Sequence, residues 1–563
     1  MTPYIVTLHK DVDYNQFWAE IENPTTGLEF IPNRAVPIHH EQPYLNRNCT
    51  YELTDAEAEQ LRNDPRVDSV DNPESFYCTY SMVQTDSNFN KLTTPGLNTN
   101  KNILDLNSDG NHVNWGLVRC NSPVNNYNSN GTVSSRYNYT LDGTGVDIVI
   151  IDSGIQADHP EFQDANGQSR VQQINWFDYA PELTPDEGFV SSTFYTDLVG
   201  HGTAIAGVAA GRTFGWAKNA NIYSIKNSTL NVLPDRQYGI SLNSGNVASV
   251  LLGFHANKAA DPVTGQKRPT IVNFSLNYQW PPGLLSANAN ITYRGHTSRM
   301  YPQDAGQPLM TLSNDNNAEM SSIAIFNSKT IGYSNVGLVS SNIASMNSSV
   351  NSYVEQMINA GIHVMIGSGN DFLKIDVPGG LDYDNSINFG PVKNYYNRGH
   401  SPWSANAVIV GATDQDLYSP LLDQKAIFSN YGPGVNVYAP GVGIVTCSSN
   451  VSLLESDSFF SAYPYYQNGS YKQTALSGTS FSTPQVAGVA ALFLQLNPQL
   501  TPAQLKQMII KNARPTMYSG GNVNNYSDYL NFRSVNSPTA PLVLYNPFHA
   551  DQHNIATGGV QIK

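Results

Sequence analysis

The sequence predicts an α/β protein built on a mostly parallel, doubly wound sheet, with a small α+β module ahead of it. Three observations carry this. Short apolar runs recur without alternation, "VDIVIID" (146–152), "TIVNFSL" (270–276), "IHVMIG" (362–367) and "AVIVGA" (407–412), as strands buried on both faces require. Stretches with helical spacing and helix-end signals lie between and after them. At 563 residues the chain is too long for one compact core, so two or more domains are expected.

Residues 1–75 read as the α+β module. "PYIVTLH" (3–9) alternates as a strand, "DYNQFWAEIE" (13–22) has helical spacing, and "CTYEL" (49–53) is a second strand. In "TDAEAEQLRNDP", Thr54 and Glu57 have capping-box spacing and Pro65 follows the helix. "RVDSVD" (66–71) closes the unit, with a weakly marked strand near 35–39. The order is that of a ferredoxin-like β-α-β-β-α-β module. Residues 76–112 are polar and aperiodic, the signature of a linker.

Strands and helices alternate over 113–515. "SVNSYVEQMINAG" (349–361) places Val350, Val354, Met357 and Ile358 on one side and ends in a capping glycine, Gly361. "TPAQLKQMIIKNA" (501–513) opens with Thr501, Pro502 and Gln504 in capping positions. Residues 516–563, rich in Asn, Tyr and Pro, read as a C-terminal appendage.

Composition narrows the function. The chain is 40% hydrophobic, 13% charged and carries a net charge of −15. A field of that sign repels phosphate backbones and anionic lipid, so nucleic-acid and membrane partners are not expected. No stretch approaches the ~20 apolar residues that span a bilayer. "MTPYIVTLHKDVDYNQFW" lacks the basic patch and apolar run of a secretory leader, so none is expected. Cys49, Cys78, Cys120 and Cys447 are far apart without zinc-ligand spacing and read as reduced thiols.

Ligands of such sheets bind at the carboxyl ends of the strands. There, "VIIDSGI" leaves Asp152 at a strand tip. "GHGTAIAG" sets His201 between glycines at the start of a small-residue helix. "SGTSFSTP" puts Ser480 between a glycine turn and an apolar helix, with Pro484 read into that helix's first turn. Singly these are a cap, a core histidine and an N-cap serine. Together, acid, histidine and serine follow one of the chain orders of the Ser-His-Asp triad.

With those motifs the sequence resembles the subtilisin-like serine peptidases, and among them the proteinase K group, over about 113–515. "NWGLVRC" (114–120), "GTGVDIVIIDSGIQADHPEF" (143–162), "GHGTAIAG" (200–207), "FSNYGPGVNVYAPG" (428–441) and "GTSFSTPQVAGVAAL" (478–492) carry the likeness. The resemblance implies a serine endopeptidase acting on protein or peptide substrates, with a subtilisin-like sheet and Asp152, His201 and Ser480 as triad. It further implies Asn370, in "GSGND", as an oxyanion-hole amide. Substrate would add as a strand between Ser275-Leu276-Asn277 and Gly367-Ser368-Gly369, with room for a bulky apolar or aromatic P1 side chain. The 1–75 module resembles the inhibitory propeptides of these enzymes. It implies a zymogen whose own N-terminal module is an intramolecular inhibitor, with the processing site within about 77–112.

No cofactor is implied for the chemistry. Structural calcium is common in the group, but Asn436 stands where proteinase K has an aspartate, and a neutral amide is a weaker ligand for a hard cation; Asp414 and Asp416 are further candidates. Other departures are Ala204 for a second histidine, Asn277 for a glycine and Phe481 for a methionine. The spacing from Ser275 to Asn370 implies an insertion of about 278–346, and 452–470 is a second extension. Two rival readings are a catalytically silent subtilisin-fold binding or structural protein and an acyl transferase acting on amines. The low charge and Asn/Tyr-rich loops also resemble phage virion proteins.

Overall fold

The N-terminal residues form β1 (Thr2–Leu8), α1 (Tyr14–Glu22), β2 (Ile38–His40), β3 (Asn48–Leu53), α2 (Asp55–Arg62) and β4 (Val67–Asp71). The Thr54–Glu57 capping box is made in both directions at the start of α2, satisfying two of its orphan N–H groups. The strands order as β2-β3-β1-β4 with every neighbour antiparallel, the ferredoxin-like arrangement. The computed structural model describes residues 1–23, 26–40, 42, 44–73, 77–79, 114–123, 139–179, 196–227, 244–279, 290–293, 295–299, 346–371, 373–389, 392–419, 422–451, 462–518 and 541–548.

Next in the described chain come β5 (Tyr77–Thr79), α3 (Trp115–Cys120), β6 (Asp147–Asp152), β7 (Val171–Gln173), α4 (His201–Ala210), β8 (Asn221–Lys226) and α5 (Ser244–Asn257). They are followed by β9 (Thr270–Phe274), β10 (Asn277–Gln279), β11 (Asn290–Tyr293), β12 (His296–Arg299), α6 (Ser348–Asn359) and β13 (His363–Gly367). The remainder comprises β14 (Ser386–Phe389), β15 (Val392–Tyr395), β16 (Val408–Ser419), β17 (Leu422–Lys425), β18 (Val437–Pro440), β19 (Ile444–Ser448), β20 (Ala462–Tyr465), β21 (Asn468–Leu476), α7 (Thr479–Leu496) and α8 (Pro502–Asn512).

The four apolar runs of the sequence become β6, β9, β13 and β16, neighbours in the main sheet. Its order is β17-β16-β13-β9-β6-β8-β7, and β18 also pairs with β16. Every pairing is parallel except β16 with β17. Period-two geometry splits β6 between two cores. Ile148 and Ile150 pack among residues of α4, α7 and α8, whereas Val149 and Ile151 pack among those of α5 and α6. The sheet is therefore covered on both faces, which is why its strands read as unbroken apolar runs.

The N-terminal sheet lies against α6. Ile5 and Leu45 join the α5–α6 core. Gln356 accepts from the Asn46 N–H at 3.0 Å and donates to Asn48 Oδ1 at 2.7 Å, and Ser352 donates to the same oxygen. From this module β5 reaches out and pairs antiparallel with β10, Thr79 opposite Asn277. The opening of the stretch read as linker is thus a strand; the rest of the region expected to hold the processing site lies outside the described residues.

Of the insertion at 278–346, β10 and the β11–β12 hairpin are described, and β11 joins β14 and β15 in an antiparallel sheet. From the second extension, β20 pairs with β21. Within the C-terminal stretch, residues 541–548 pack on the domain of the main sheet. Val543 exchanges backbone hydrogen bonds with Arg514, and Leu544 and Phe548 enter the α4–α7 core. Cys120 and Cys447 are buried free thiols. No helix among the described residues is long and apolar enough to cross a membrane.

Candidate active site

Asp152 ends β6 and His201 begins α4, and the sheet brings them together. His201 Nδ1 lies 2.8 and 2.9 Å from the two carboxylate oxygens of Asp152, with both side chains buried. A carboxylate only accepts, so Nδ1 carries the proton and Nε2 is the basic atom of the ring. Asp152 Oδ1 also accepts from the Ser153 N–H at 2.7 Å, which fixes the carboxylate plane.

The start of α4 is held by a residue that the sequence did not single out. Asp197 Oδ1 accepts from Ser153 Oγ, the Val199 N–H and the Gly200 N–H at 2.8, 3.1 and 2.7 Å. Its Oδ2 accepts from the Thr203 N–H and hydroxyl at 2.8 and 2.6 Å. This carboxylate caps the helix whose first residue is His201, where negative charge is favoured. Gly200 has φ +85°, a conformation that other residues adopt only at a cost. Beside Asp152 in register, Lys226 donates to the Thr196 carbonyl at 2.6 Å; burial holds its amine down at about 8 although Asp197 opposes the shift.

Ser480 sits at the second position of α7, behind Gly478 with φ +150°. Pro484 is the sixth residue of that helix and lies inside it, a correction to the first-turn placement read from the sequence. The reason is that Gly478 lets the helix begin at Thr479, earlier than the run of hydroxyl residues signals. A proline here withholds the N–H that the Ser480 carbonyl would accept. Ser275 supplies the replacement: its Oγ donates to that carbonyl at 2.8 Å. In return the Ser480 hydroxyl donates to the Ser275 carbonyl at 3.2 Å. Phe481 stands edge-on to the His201 ring, centroids 5.6 Å apart, where α4 and α7 pack together.

Asn370 is anchored on the same helix start. Its Oδ1 accepts from the Thr479 N–H and the Thr479 hydroxyl, each at 2.9 Å, which sets the orientation of the amide group beside Ser480. Of the two expected substrate segments, Ser275 and Leu276 follow β9 and Asn277 opens β10; Gly367 ends β13 and is followed by Ser368 and Gly369. The Gly369 N–H donates to Thr479 Oγ1 at 3.3 Å. Gly369 has φ +102° and faces Asn430 and His400 so closely that a Cβ there would stand 2.5 Å from Asn430 Nδ2 and 2.7 Å from His400 Nε2. Burial pushes the His400 imidazole down to about 4.

Asn436 Oδ1 accepts from the Ile409 N–H at 2.9 Å. Among the described residues no three His, Cys, Asp or Glu side chains gather as ligands.

At the carboxyl edge of the parallel sheet a buried carboxylate thus fixes an imidazole tautomer on a helix that packs against the one bearing Ser480, whose hydroxyl bonds to the Ser275 carbonyl; these are the groups that serine-hydrolase chemistry requires. The chain belongs to the subtilase family (peptidase family S8), whose model matches residues 143–534. It is 24% identical to the subtilisin-like serine protease Cur l 4.0101 of Cochliobolus lunatus, over 92% of this chain and 79% of that one. Identity to the alkaline serine exoprotease A of Vibrio alginolyticus is 23%, over 89% of this chain and 60% of the relative. Proteinase R of Parengyodontium album is 25% identical over 70% and 63%. The crystal structure of a cold adapted subtilisin-like serine proteinase aligns with 77% of this chain and 97% of its own at 21% identity and a TM-score of 0.41, which adds nothing to the topology above.

Proposed function

We propose that this subtilase is a serine endopeptidase that works through an acyl-enzyme and is made as a zymogen that processes itself. The observation that carries the catalytic reading is the Asp152–His201 contact at 2.8 Å, between the tip of β6 and the start of α4, which packs against the helix that bears Ser480. The Ser480 hydroxyl turns from the Ser275 carbonyl to His201 Nε2, and its Oγ attacks the peptide carbonyl carbon while Nε2 takes the proton; Asp152 stabilises the imidazolium. The carbonyl oxygen becomes an oxyanion facing the Asn370 amide and the start of α7, whose N–H groups favour negative charge. The C–N bond then breaks as His201 gives its proton to the leaving amine. Water, deprotonated by His201, attacks the ester carbon; the bond to Ser480 Oγ then breaks as His201 returns the proton to that oxygen, releasing the acid.

The zymogen reading is supported by the pairing of β5 with β10. The N-terminal module sends a strand onto the edge that begins at Asn277, where a substrate strand is expected. The test is to express the wild type beside Ser480→Ala and sequence the N-termini, with fluorophosphonate labelling of both. Truncation within 77–112 and labelling in the wild type only are the expected results. A full-length, unlabelled wild type overturns the reading.

A further inference from the structure

We infer that Asn430 is a positioning residue for the oxyanion-hole amide, clamping the turn that carries Asn370. The inference rests on the oxyanion role proposed above for Asn370. Asn430 is fully buried and lies after β17, remote in sequence from the turn at 368–373. Nearly every polar atom it has is spent on that turn. Its Nδ2 donates to the Ser368 carbonyl at 2.8 Å. Oδ1 accepts from the Asp371 N–H at 3.1 Å and the Leu373 N–H at 2.8 Å. The backbone N–H donates to the Gly369 carbonyl at 3.0 Å.

One carboxamide thus holds the backbone on both sides of Asn370. The turn needs such a clamp because its own conformation supplies no ladder there. Gly369 is in the left-handed region, and Ser368 is the last of its residues tied to the sheet, through its N–H to Val410 O at 2.8 Å. Asn370 itself is gripped through its side-chain oxygen, by Thr479. Two anchors therefore define where its amide points: Thr479 fixes the tip and Asn430 fixes the base. The close approach of Asn430 Nδ2 to Gly369 leaves no room for a side chain at 369, so glycine there and asparagine at 430 are one device. An amide donor aimed at an oxyanion loses its effect when displaced by about 1 Å.

The experiment is a double-mutant cycle on the full chain, with turnover per fluorophosphonate-reactive site measured on a peptide substrate. Asn370→Ala is expected to lower kcat by about 10²–10³ with KM nearly unchanged. Asn430→Ala is expected to lower kcat by about 10–10², and to cost no more than about threefold once Asn370 is already alanine. Asn430→Asp keeps the size, loses the donation to Ser368 and regains it when protonated. Its kcat relative to wild type should therefore rise as pH falls, which a merely structural role does not predict; this variant decides the matter if Asn430→Ala does not fold. Equal losses in both backgrounds, or a pH-independent Asn430→Asp ratio, overturn the positioning role. An Asn370→Ala enzyme with wild-type kcat overturns the oxyanion reading itself.

Discussion

Gly202→Ala tests the catalytic geometry most directly. A Cβ at that position would stand 2.2 Å from the Gly154 carbonyl oxygen, 3.1 Å from Asp152 Cβ and 3.2 Å from Asp152 Oδ1. Carbon–oxygen contacts settle near 3.3 Å or beyond, so the backbone must open by about 1 Å. The opening falls between the start of α4 and the tip of β6, the two elements that bear His201 and Asp152. Their 2.8 Å contact would stretch towards about 3.8 Å, outside hydrogen-bond range, and the Gly202 N–H would leave Ser153 Oγ, now 2.9 Å away. A misplacement of that size costs about 10² in kcat, and forced overpacking costs about 1–3 kcal/mol of stability. Initial rates on a peptide substrate measure the first, with KM little changed because the segments at 275–277 and 367–369 are untouched. Thermal unfolding in a Ser480→Ala background measures the second without self-digestion. A Gly202→Ala enzyme with wild-type kcat and wild-type melting would refute the reasoning, since it would show that the strand tip and helix start are not in fixed contact.

Two other perturbations address the scaffold. Arg119 and Asp423 are both buried and make a two-pronged ion pair, and Thr516 bonds to each of them. Arg119→Ala leaves a buried carboxylate uncompensated and should cost about 3–5 kcal/mol in denaturant unfolding of the Ser480→Ala chain; a loss below about 1 kcal/mol would contradict it. Asp71 sits where the N-terminal module meets α6. Burial raises its carboxyl above the ordinary 3.8, while the Ser349 and Ser69 hydroxyls and Arg62 partly oppose the shift and Asp68 adds to it. The folded, docked chain therefore binds this proton more readily than the unfolded one. Its contribution is fully present below about 3.8 and is lost as pH rises through the raised value. Hydrogen exchange in β1 and β4 should show protection falling across that window in the Ser480→Ala chain, and less so with Asp71→Asn added. Identical pH profiles for the two would sink the idea.

The fold was legible wherever a local pattern and a tertiary demand coincide. β6, β9, β13 and the opening of β16 are mainly apolar without alternation because helices cover both faces, so their sequences announce a parallel sheet. The capping boxes at Thr54 and Thr501 are local hydrogen-bond circuits, and both are made. The start of α7 was not legible. Thr479, Ser480, Ser482 and Thr483 each read as turn or cap residues, and only burial against β9, β13 and α4 makes them helical. The three-residue β5 gives no alternating signal, and its partner lies some 200 positions away in the chain.

The site divides along the same line. The residues proposed to react are marked by their immediate neighbours, as His201 is by Gly200 and Gly202, because close backbone approach restricts which residues fit beside them. The bonds by which other residues hold these groups in place cross long sequence distances, so a motif can contain such a residue, as 428–441 contains Asn430, without showing what it holds. Ser275 and Ser480 bond to each other over 205 positions, and Asn430 reaches Ser368 over 62. Asp197 is the instructive intermediate. It precedes the helix by four residues, within the range of a capping signal, yet its other oxygen contacts Ser153 at the end of β6. That second contact joins the acid's strand to the histidine's helix, and only the folded chain displays it. A chain bearing Asp152, His201 and Ser480 on this sheet but lacking Asp197, Ser275 and Asn430 would keep those three side chains and hold them far less firmly.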